Sequence, residues 1–456
     1  MAKPKVAFVC QSCGSTYAKW SGQCVSCKSW NTLVEEVLHR PPSGGSHALS
    51  PSKALSFDEI TTVDNEARLS TSLSEFDRVL GGGLFPGSLI LLGGEPGIGK
   101  STLLLQTTLG MNPKKVLYVS GEESAPQIKN RADRILEGSL ATNHGRLLTE
   151  TWVEQIVATA VKENPDFLIV DSIQTLQSEA LDSPPGSVSQ VRESASMLLK
   201  FAKESGTPVL LIGHITKDGQ LAGPKVLEHM VDVVLQFEGD RNHVFRILRA
   251  QKNRFGPASE IGIFEMNQQG LHPVHDPSGA LFSEHALELS GTSHGIVMEG
   301  IRPLVLETQA LVSSAVYGTP QRSATGFDLR RLNMLLAVLE KRCGFSLGSK
   351  DVFLNLTGGI RIEDPALDLA IMAAILSSAE DQPIGGKTAF SGEVGLTGEI
   401  RPVNRIESRI NEAEKLGFKT LFLPSYNLKG LNVQQYSIAL KGIDRIGQLY
   451  HQLFSP

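Results

Sequence analysis

Residues 93–102 read Gly-Gly-Glu-Pro-Gly-Ile-Gly-Lys-Ser-Thr and fit the pattern G-x-x-x-x-G-K-[ST] from Gly94 to Ser101. An apolar run typical of a buried strand, residues 88–92, precedes the stretch, and residues 103–106 continue it as a helix. A strand, a glycine loop and a helix N-terminus form an anion cradle, because backbone N–H groups can close around phosphate oxygens and the helix dipole adds positive charge. A chance glycine turn is the alternative, and the flanking strand and helix argue against it. The stretch therefore predicts a nucleoside triphosphate site.

Within this loop, Lys100 is expected to reach the β- and γ-phosphates, and the Ser101 hydroxyl is expected to bind Mg²⁺. A second apolar strand, residues 167–171, ends in Asp171, which can hold the Mg²⁺ water shell from the neighbouring strand. The residues predicted to bind ATP are Gly94, Glu95, Pro96, Gly97, Ile98, Gly99, Lys100, Ser101 and Thr102.

Two glutamates, Glu122 and Glu123, follow the strand-like run 116–120. Ligands of open α/β sheets bind at the carboxyl ends of the strands, so a glutamate there can orient or deprotonate the attacking water. A solvated acidic turn is the other interpretation. Glu122 is the favoured candidate of the two.

Basic and polar residues follow two further strand-like runs. Lys252 and Arg254 belong to the segment 249–256, and their alternate spacing puts them on one side of an extended chain. They could supply positive charge to the γ-phosphate of a neighbouring subunit, or they could be solvated strand-end charges. His214 or Thr216, after the run 209–213, could sense the γ-phosphate, and a satisfied turn histidine is the alternative.

Four of the five cysteines lie in the first 27 residues, as Cys10-x-x-Cys13 and Cys24-x-x-Cys27. Each pair can present two thiolates from one turn, and two pairs close a tetrahedral Zn²⁺ site. Surplus cysteines are the alternative. Because four ligands leave no open position, the zinc is expected to be structural.

Lys19, Trp20, Lys28 and Trp30 lie near these cysteines. They could contact DNA or protein, or they could form the small core and solvated rim of the finger itself.

Composition gives broader limits. A chain of 456 residues is expected to form about three domains. No long apolar run or N-terminal leader is recognised, so we expect a cytoplasmic protein that does not enter the membrane. A net charge of −5 places any nucleic-acid surface in a local patch.

Changes of pattern divide the chain. We predict a four-cysteine zinc finger at 1–38, a flexible Pro/Ser/Gly-rich linker at 39–55, a phosphate-loop ATPase domain at 56–275 and a separate α/β domain at 284–456. In the ATPase domain, strands alternate with helices, which predicts a parallel sheet covered on both faces. The strand-like runs are 89–92, 116–120, 167–171, 209–213, 233–237 and, last, 244–248.

Together these motifs resemble the bacterial RadA (Sms) family of DNA-repair proteins over essentially the whole chain. The four-cysteine finger, GGEPGIGKST, the SGEES turn, LIVDS and the pentapeptide KNRFG at 252–256 occur in that family's order. The resemblance implies a RecA-like core and a DNA-dependent ATPase that works with RecA recombinase on single-stranded and branched DNA, extending heteroduplex by branch migration. It also implies a hexameric ring with ATP, Mg²⁺ and Zn²⁺ as cofactors, in which Lys252 and Arg254 serve the nucleotide of the next subunit.

The C-terminal region resembles the proteolytic domain of Lon, which cleaves with a Ser–Lys dyad. Ala366 stands where that family has its serine, and Glu407 stands where it has its lysine. Without a hydroxyl and an activating amine no acyl-enzyme can form, so the resemblance implies a proteolytically inactive Lon-like domain.

Two rival functions remain beside the DNA-stimulated motor. One is an assembly ATPase that organises protein partners, and the other is an ATP-dependent protease, which Ala366 disfavours. Possible DNA-phosphate contacts are Arg192, Lys217 and Lys225, which belong to loops at the ligand edge or to the residues that follow them, and ordinary surface charge is the alternative for each.

Overall fold

A computed structural model gives the fold of the chain. It describes residues 5–11, 14–38, 68–112, 114–136, 145–215, 221–222, 225–239, 245–258, 260–281, 289–315, 318–359, 362–385 and 387–454. The linker predicted at 39–55 lies outside these residues. The chain divides into two compact units, Met1–Arg241 with Arg246–Pro273, and Asn242–Phe245 with Val274–Pro456.

The first unit begins with a small antiparallel ribbon. Its strands are β1 (Lys5–Cys10), β2 (Thr16–Tyr17) and β3 (Leu33–Leu38), in the order β2-β1-β3. The buried residues at its centre are Cys10, Cys24 and Leu33, with Phe8 and Tyr17 packed against them. Trp20 and Trp30 are 58% and 69% exposed, so they do not form the core of the finger and lie on its solvated rim.

The phosphate-loop stretch lies in a ten-stranded sheet. The strand order is β13-β12-β11-β10-β4-β8-β7-β5-β6, with β9 paired to β8, and the strands from β10 to β6 are parallel. The elements are α1 (Ser74–Leu80), β4 (Leu89–Gly94), α2 (Lys100–Gly110), β5 (Val116–Ser120), α3 (Ala125–Leu136), β6 (Arg146–Thr149), α4 (Val153–Glu163), β7 (Phe167–Asp171), α5 (Val188–Ser205), β8 (Val209–Ile215), β9 (Leu221–Ala222), α6 (Lys225–Met230), β10 (Val233–Glu238), β11 (Phe245–Asn253), β12 (Ile261–Asn267) and β13 (Gly270–Pro273).

Strand β4 shows why this sheet needs a cover on both faces. Ile90 and Leu92 belong to one core cluster, which includes residues of α1, α2 and α3. Leu89 and Leu91 belong to another, which includes residues of α4, α5 and α6. Because successive side chains of a strand point to opposite faces, a continuous apolar run is stable only between two layers of helices. The predicted parallel sheet with two helical layers is confirmed.

The end of this sheet differs from the sequence prediction. The sequence predicts the run 244–248 as the last strand of this domain, with the basic segment after it. Instead β11 extends to Asn253, and the antiparallel pair β12 and β13 follows. The basic segment is therefore largely strand, because alternating apolar residues as far as Ala250 pack into the sheet core.

The second unit contains a mixed seven-stranded sheet, ordered β16-β17-β15-β14-β18-β21-β22, and a separate pair β19-β20. Its elements are α7 (Pro277–Leu281), β14 (Thr292–Glu299), β15 (Arg302–Ser314), β16 (Arg322–Thr325), α8 (Leu329–Cys343), β17 (Lys350–Leu356), α9 (Asp368–Glu380), β18 (Thr388–Phe390), β19 (Glu393–Val394), β20 (Ile400–Arg401), α10 (Ile406–Lys415), β21 (Thr420–Pro424), α11 (Ser425–Leu428), β22 (Ala439–Ile443) and α12 (Ile446–Phe454).

Helix α9 lies at the centre of this unit. Its residues from Asp368 to Ser377 are all buried, which explains why the sequence shows an apolar run there rather than an amphipathic pattern. In the described part of the chain, no helix combines the length and the apolar character that a membrane span needs.

Candidate functional site

The phosphate loop joins β4 to α2 through glycines in conformations that other residues rarely adopt. Gly97 and Gly99 have φ angles of +79° and +119°. A Cβ atom at Gly94 would lie 2.8 Å from the carbonyl oxygen of Phe237, and one at Gly99 would lie 2.7 Å from Cε of Met266. The glycines are therefore needed both for the backbone angles and for the close packing of the loop.

Lys100 is almost fully buried at the start of α2, with 4% of its surface exposed. Its Nζ donates hydrogen bonds to the carbonyl oxygens of Gly94 at 2.7 Å and Glu95 at 3.0 Å. Burial lowers the pKa of the ammonium group, while the carboxylates of Asp171 and Glu122 act in the opposite direction. The positive charge is thus held against the loop with these two carboxylates facing it.

Asp171 ends β7 and is also buried, with 8% of its surface exposed. Burial raises the pKa of its carboxyl group, while the nearby hydroxyl groups of Tyr118 and Ser101 act in the opposite direction. The sequence prediction placed this aspartate on the strand next to β4, which is wrong, since β8 lies between β4 and β7. The hydroxyl of Ser101 and the carboxylate predicted for Mg²⁺ nevertheless lie near each other, and together they are oxygen donors of the kind that this ion prefers.

Tyr118 is a site residue that the sequence reasoning missed. It lies on β5, next to β7, is almost fully buried, and donates a hydrogen bond from its hydroxyl to Oδ2 of Asp171 at 2.7 Å. Tyr118 therefore positions the carboxylate that Ser101 approaches. The one available signal was its polar hydroxyl in an otherwise apolar strand.

The two glutamates of the acidic turn differ in exposure and in hydrogen-bond partner. Glu122 is exposed and accepts a hydrogen bond from Oγ of Ser172 at 2.5 Å, beside Asp171. Glu123 instead accepts from Nη2 of Arg131 on α3 at 2.5 Å, in an ion pair. Glu122 also contributes to the electrostatic environment of both Lys100 and Asp171. Of the two, Glu122 is thus the one with an accessible carboxylate near the loop.

The basic segment and the phosphate loop lie at opposite ends of the parallel strands. At the start of β10, Val233 pairs with Asn253 of β11 and with Ile90 of β4. Near the other end of β10, Phe237 pairs with Gly94 of the phosphate loop. At 3.3 Å per residue, the four steps along the strand from Ile90 to Gly94 span roughly 13 Å. The segment is therefore remote from the nucleotide loop of its own chain.

Lys252 and Arg254 differ in their surroundings. Lys252 is half-buried, and its Nζ donates to the carbonyl oxygens of Glu228 and Val231, each at 2.7 Å, near the end of α6. Burial lowers the pKa of this ammonium group, and the nearby Arg254 lowers it further. The Arg254 side chain is 59% exposed, and its Nη1 lies 3.5 Å from Oδ1 of the buried Asp232.

The remaining residues of the pentapeptide anchor it. Asn253 Nδ2 donates to the carbonyl oxygens of Val79 and Leu80 at the end of α1, each at 3.3 Å. Phe255 stacks on Phe85 with ring centroids 4.1 Å apart. The neighbours of Arg254 thus anchor the segment, and within residues 252–256 Arg254 alone is exposed.

The cysteine ribbon has the geometry of a metal site. The sulfur atoms of Cys10, Cys24 and Cys27 all lie within 4.8 Å of one another, while Cys13 lies outside the described residues. Three converging thiols fit the sulfur ligands that structural zinc prefers.

The other predicted contacts are less fully defined. Arg192 is exposed on α5. The backbone of His214 lies in β8 and pairs with Gly94, at the nucleotide edge, but its side chain lies outside the described residues. Thr216 and Lys217 and the side chain of Lys225 also lie outside them.

In the second unit, Ala366 is fully buried in a short 3-10 helix, Pro365–Leu367, and Glu407 is exposed at the start of α10. The fully buried Arg409 donates from Nη2 to Oδ2 of Asp364 at 2.8 Å. Arg409 Nη1 also donates to the carbonyl oxygen of Ile296 at 2.7 Å, so this region is held by a structural ion pair.

Comparison with known families matches three segments of the chain. Residues 8–35 match a family described as a rubredoxin metal binding domain, residues 54–220 an AAA domain, and residues 308–427 subunit ChlI of Mg-chelatase. With the observed sheets, these matches confirm the predicted fold class: a cysteine zinc ribbon, a parallel-sheet phosphate-loop core and a C-terminal Lon-like α/β domain. They also support ATP and zinc as cofactors.

Curated relatives match over the full length. "DNA repair protein RadA" of Bacillus subtilis is 49% identical over 455 residues, covering 98% of this chain and 97% of the relative. The proteins of that name from Streptococcus pyogenes serotype M1 and Listeria monocytogenes are 47% and 45% identical, covering 100% and 98% of each chain. A solved structure described as the RadB recombinase is 25% identical, covers 45% of this chain and 100% of its own, and has a TM-score of 0.38.

Proposed function

The chain belongs to the RadA family of bacterial DNA repair proteins, and from that premise we propose that it is a DNA-dependent ATPase acting in homologous recombination. The convergence of Lys100, Ser101 and Asp171 at the phosphate loop carries the proposal of ATP hydrolysis. Lys100 would exchange the loop carbonyls for phosphate oxygens. Magnesium, held by Ser101 and Asp171, would neutralise negative charge on the β- and γ-phosphates. Tyr118 would keep the Asp171 carboxylate oriented toward that ion.

Glu122 is proposed to orient or deprotonate the attacking water. Its exposed carboxylate near Lys100 and Asp171 supports this role, whereas the ion pair with Arg131 engages Glu123. We expect Glu122→Gln to lower kcat by a factor of roughly 10²–10⁴, because an amide cannot accept the proton. Glu123→Gln is the matched control and should keep most of the activity. Steady-state hydrolysis with saturating Mg²⁺ and ATP would measure both, and the reverse order of effects would exchange the two assignments.

Lys252 and Arg254 are proposed to act on the nucleotide of a neighbouring subunit in a hexameric ring. Their separation from the phosphate loop of their own chain supports action in trans, and the exposed Arg254 is the better placed of the two. A guanidinium group that approaches the γ-phosphate from outside the subunit stabilises the charge that develops during transfer. Lys252 would then couple the segment to α6 through the carbonyl oxygens it binds.

Single-stranded and branched DNA and the RecA recombinase are proposed as partners, and branch migration in the cytoplasm as the process. Membership in a DNA-repair family supports this, together with the ATPase site. The alternative is an assembly ATPase that organises protein partners without responding to DNA.

The C-terminal unit is proposed to be a scaffold without proteolytic activity. The buried methyl group of Ala366 offers no nucleophile, and Glu407 offers no activating amine. The buried pair of Arg409 and Asp364 supports a structural role for this region.

Single-stranded DNA is expected to raise the steady-state rate of ATP hydrolysis by this protein severalfold at low salt. The measurement is phosphate release with and without a DNA oligomer, with double-stranded DNA as the matched control. A rate that ignores DNA would reject the motor and leave the assembly ATPase. The same preparation should leave casein intact with or without ATP, and its degradation would contradict the scaffold role.

A further inference from the structure

Two tryptophans of the cysteine ribbon form an exposed aromatic patch, which we define as Trp20, Gly22 and Trp30. A Cβ atom at Gly22 would lie 3.7 Å from Cζ3 of Trp30 and 3.9 Å from Cη2 of Trp20. Both six-membered rings therefore lie close to one glycine, which has no side chain to cover them. With 58% and 69% of their surfaces exposed, both indoles remain in water although the ribbon has its own core.

The charged side chains that lie beside the two tryptophans in the sequence are basic. Residues 14–31 contain two charged side chains, Lys19 and Lys28, and no acidic residue, although the chain as a whole has a net charge of −5. Both lysines are exposed. Two exposed indoles, each with a lysine one or two residues away in the sequence, match a single strand of nucleic acid, whose bases stack and whose phosphates are negative.

The ribbon also contacts helix α5, which carries one of the predicted DNA-phosphate contacts. The backbone N–H of Val188, at the start of α5, donates to Oε1 of Gln11 at 3.3 Å. Val188 lies four residues before Arg192, one of the predicted DNA-phosphate contacts. A DNA strand bound at Arg192 would thus be near Gln11 of the ribbon.

We propose that the aromatic patch stacks the bases of single-stranded DNA and that Lys19 and Lys28 contact its phosphates. This deepens the proposed function, on which it rests for the identity of the polymer. The patch would hold unpaired bases without reading their sequence, because every base has an aromatic face.

The test uses the full-length protein in a Trp152→Phe background, because the chain has three tryptophans and this change leaves Trp20 and Trp30 as the fluorophores. Oligo(dT) is expected to quench their fluorescence. An abasic oligomer of equal length and charge should not, because it offers phosphates without bases. Trp20→Ala and Trp30→Ala, measured by anisotropy of labelled oligo(dT), should each weaken binding by about tenfold.

Further variants separate stacking from charge and from misfolding. Gly22→Val keeps both indoles but adds a side chain against both rings, and it should remove the quenching. The double change Lys19→Gln, Lys28→Gln should keep the quenching at low salt and lower the salt slope of log K by about 1.4, or 0.7 per lost phosphate contact. Bound zinc, measured by metal analysis, should be unchanged in every variant.

Other outcomes would overturn the inference. Equal affinity for oligo(dT) and the abasic oligomer, without quenching, would show that the indoles do not stack bases. Normal quenching and DNA affinity in Gly22→Val would show that bases do not bind to the ring surfaces beside Gly22. Variants that bind DNA normally but no longer bind purified RecA filaments would show a protein-docking surface instead. Quenching does not depend on hydrolysis, so quenching without DNA-stimulated ATPase activity would reject the DNA motor and retain the base-stacking patch. DNA-stimulated ATPase activity without quenching would retain the motor and reject the patch.

Discussion

Replacing Lys100 with methionine is expected to lower the rate of ATP hydrolysis by at least about a hundredfold while leaving the fold intact. The methionine side chain keeps an unbranched apolar stem of similar length, and it removes the ammonium group that would meet the β- and γ-phosphates. Phosphate release at saturating ATP would measure the loss. Lys115→Met, on an exposed lysine next to β5, is the matched control and should hydrolyse ATP normally.

The stability of the same variant is the sharper part of this prediction. The lost hydrogen bonds to Gly94 and Glu95 are offset by relief of a buried charge, so the free energy of unfolding should change by no more than about 1 kcal/mol. A loss of several kcal/mol would mean that Lys100 mainly supports the fold.

The pH dependence has a definite sign. Because the pKa of Lys100 is lowered in the folded state, the folded protein binds fewer protons than the unfolded chain between that pKa and the ordinary lysine value of 10.5. The contribution of Lys100 to the free energy of unfolding therefore rises with pH in this window, and the methionine variant lacks this pH dependence. Denaturation of both proteins from neutral to alkaline pH should show wild type gaining stability relative to Lys100→Met.

Replacing Arg254 with alanine is expected to lower kcat by a factor of roughly 10³ or more if its guanidinium reaches the nucleotide of the next subunit. The side chain is 59% exposed and its ion pair with Asp232 is partly solvated, so folding should be little affected. Circular dichroism and ATP binding should match wild type, because the change leaves the phosphate loop complete.

Mixing two inactive variants tests whether Arg254 acts in trans. Lys100→Met subunits retain Arg254, and Arg254→Ala subunits retain the phosphate loop. In randomly mixed equimolar oligomers, roughly a quarter of the interfaces would combine the two intact groups and recover hydrolysis. Mixtures that stay inactive, although exchange of labelled subunits is demonstrated, would reject a role across the interface. Lys252→Ala in the same assay would show whether this lysine shares the role or mainly supports α6.

Local sequence determined much of the site. The order of strand, glycine loop and helix around residues 94–101 depends on backbone angles and hydrogen bonds between near neighbours, which a short pattern encodes. The paired cysteine spacing and the carboxylate ending a buried strand are signals of the same local kind. The resemblance to a DNA-repair family also came from such motifs, in their order along the chain.

Only the tertiary structure decided how distant segments meet. It inserted β8 between β4 and β7, brought Tyr118 to Asp171, and separated Glu122 from Glu123 through the ion pair with Arg131. The tertiary structure also places Arg254 at the edge of the sheet opposite the phosphate loop, and it leaves the indoles of the ribbon exposed. Strand order and burial depend on packing between residues far apart in sequence, and alternation of apolar residues identifies a strand without identifying its neighbours.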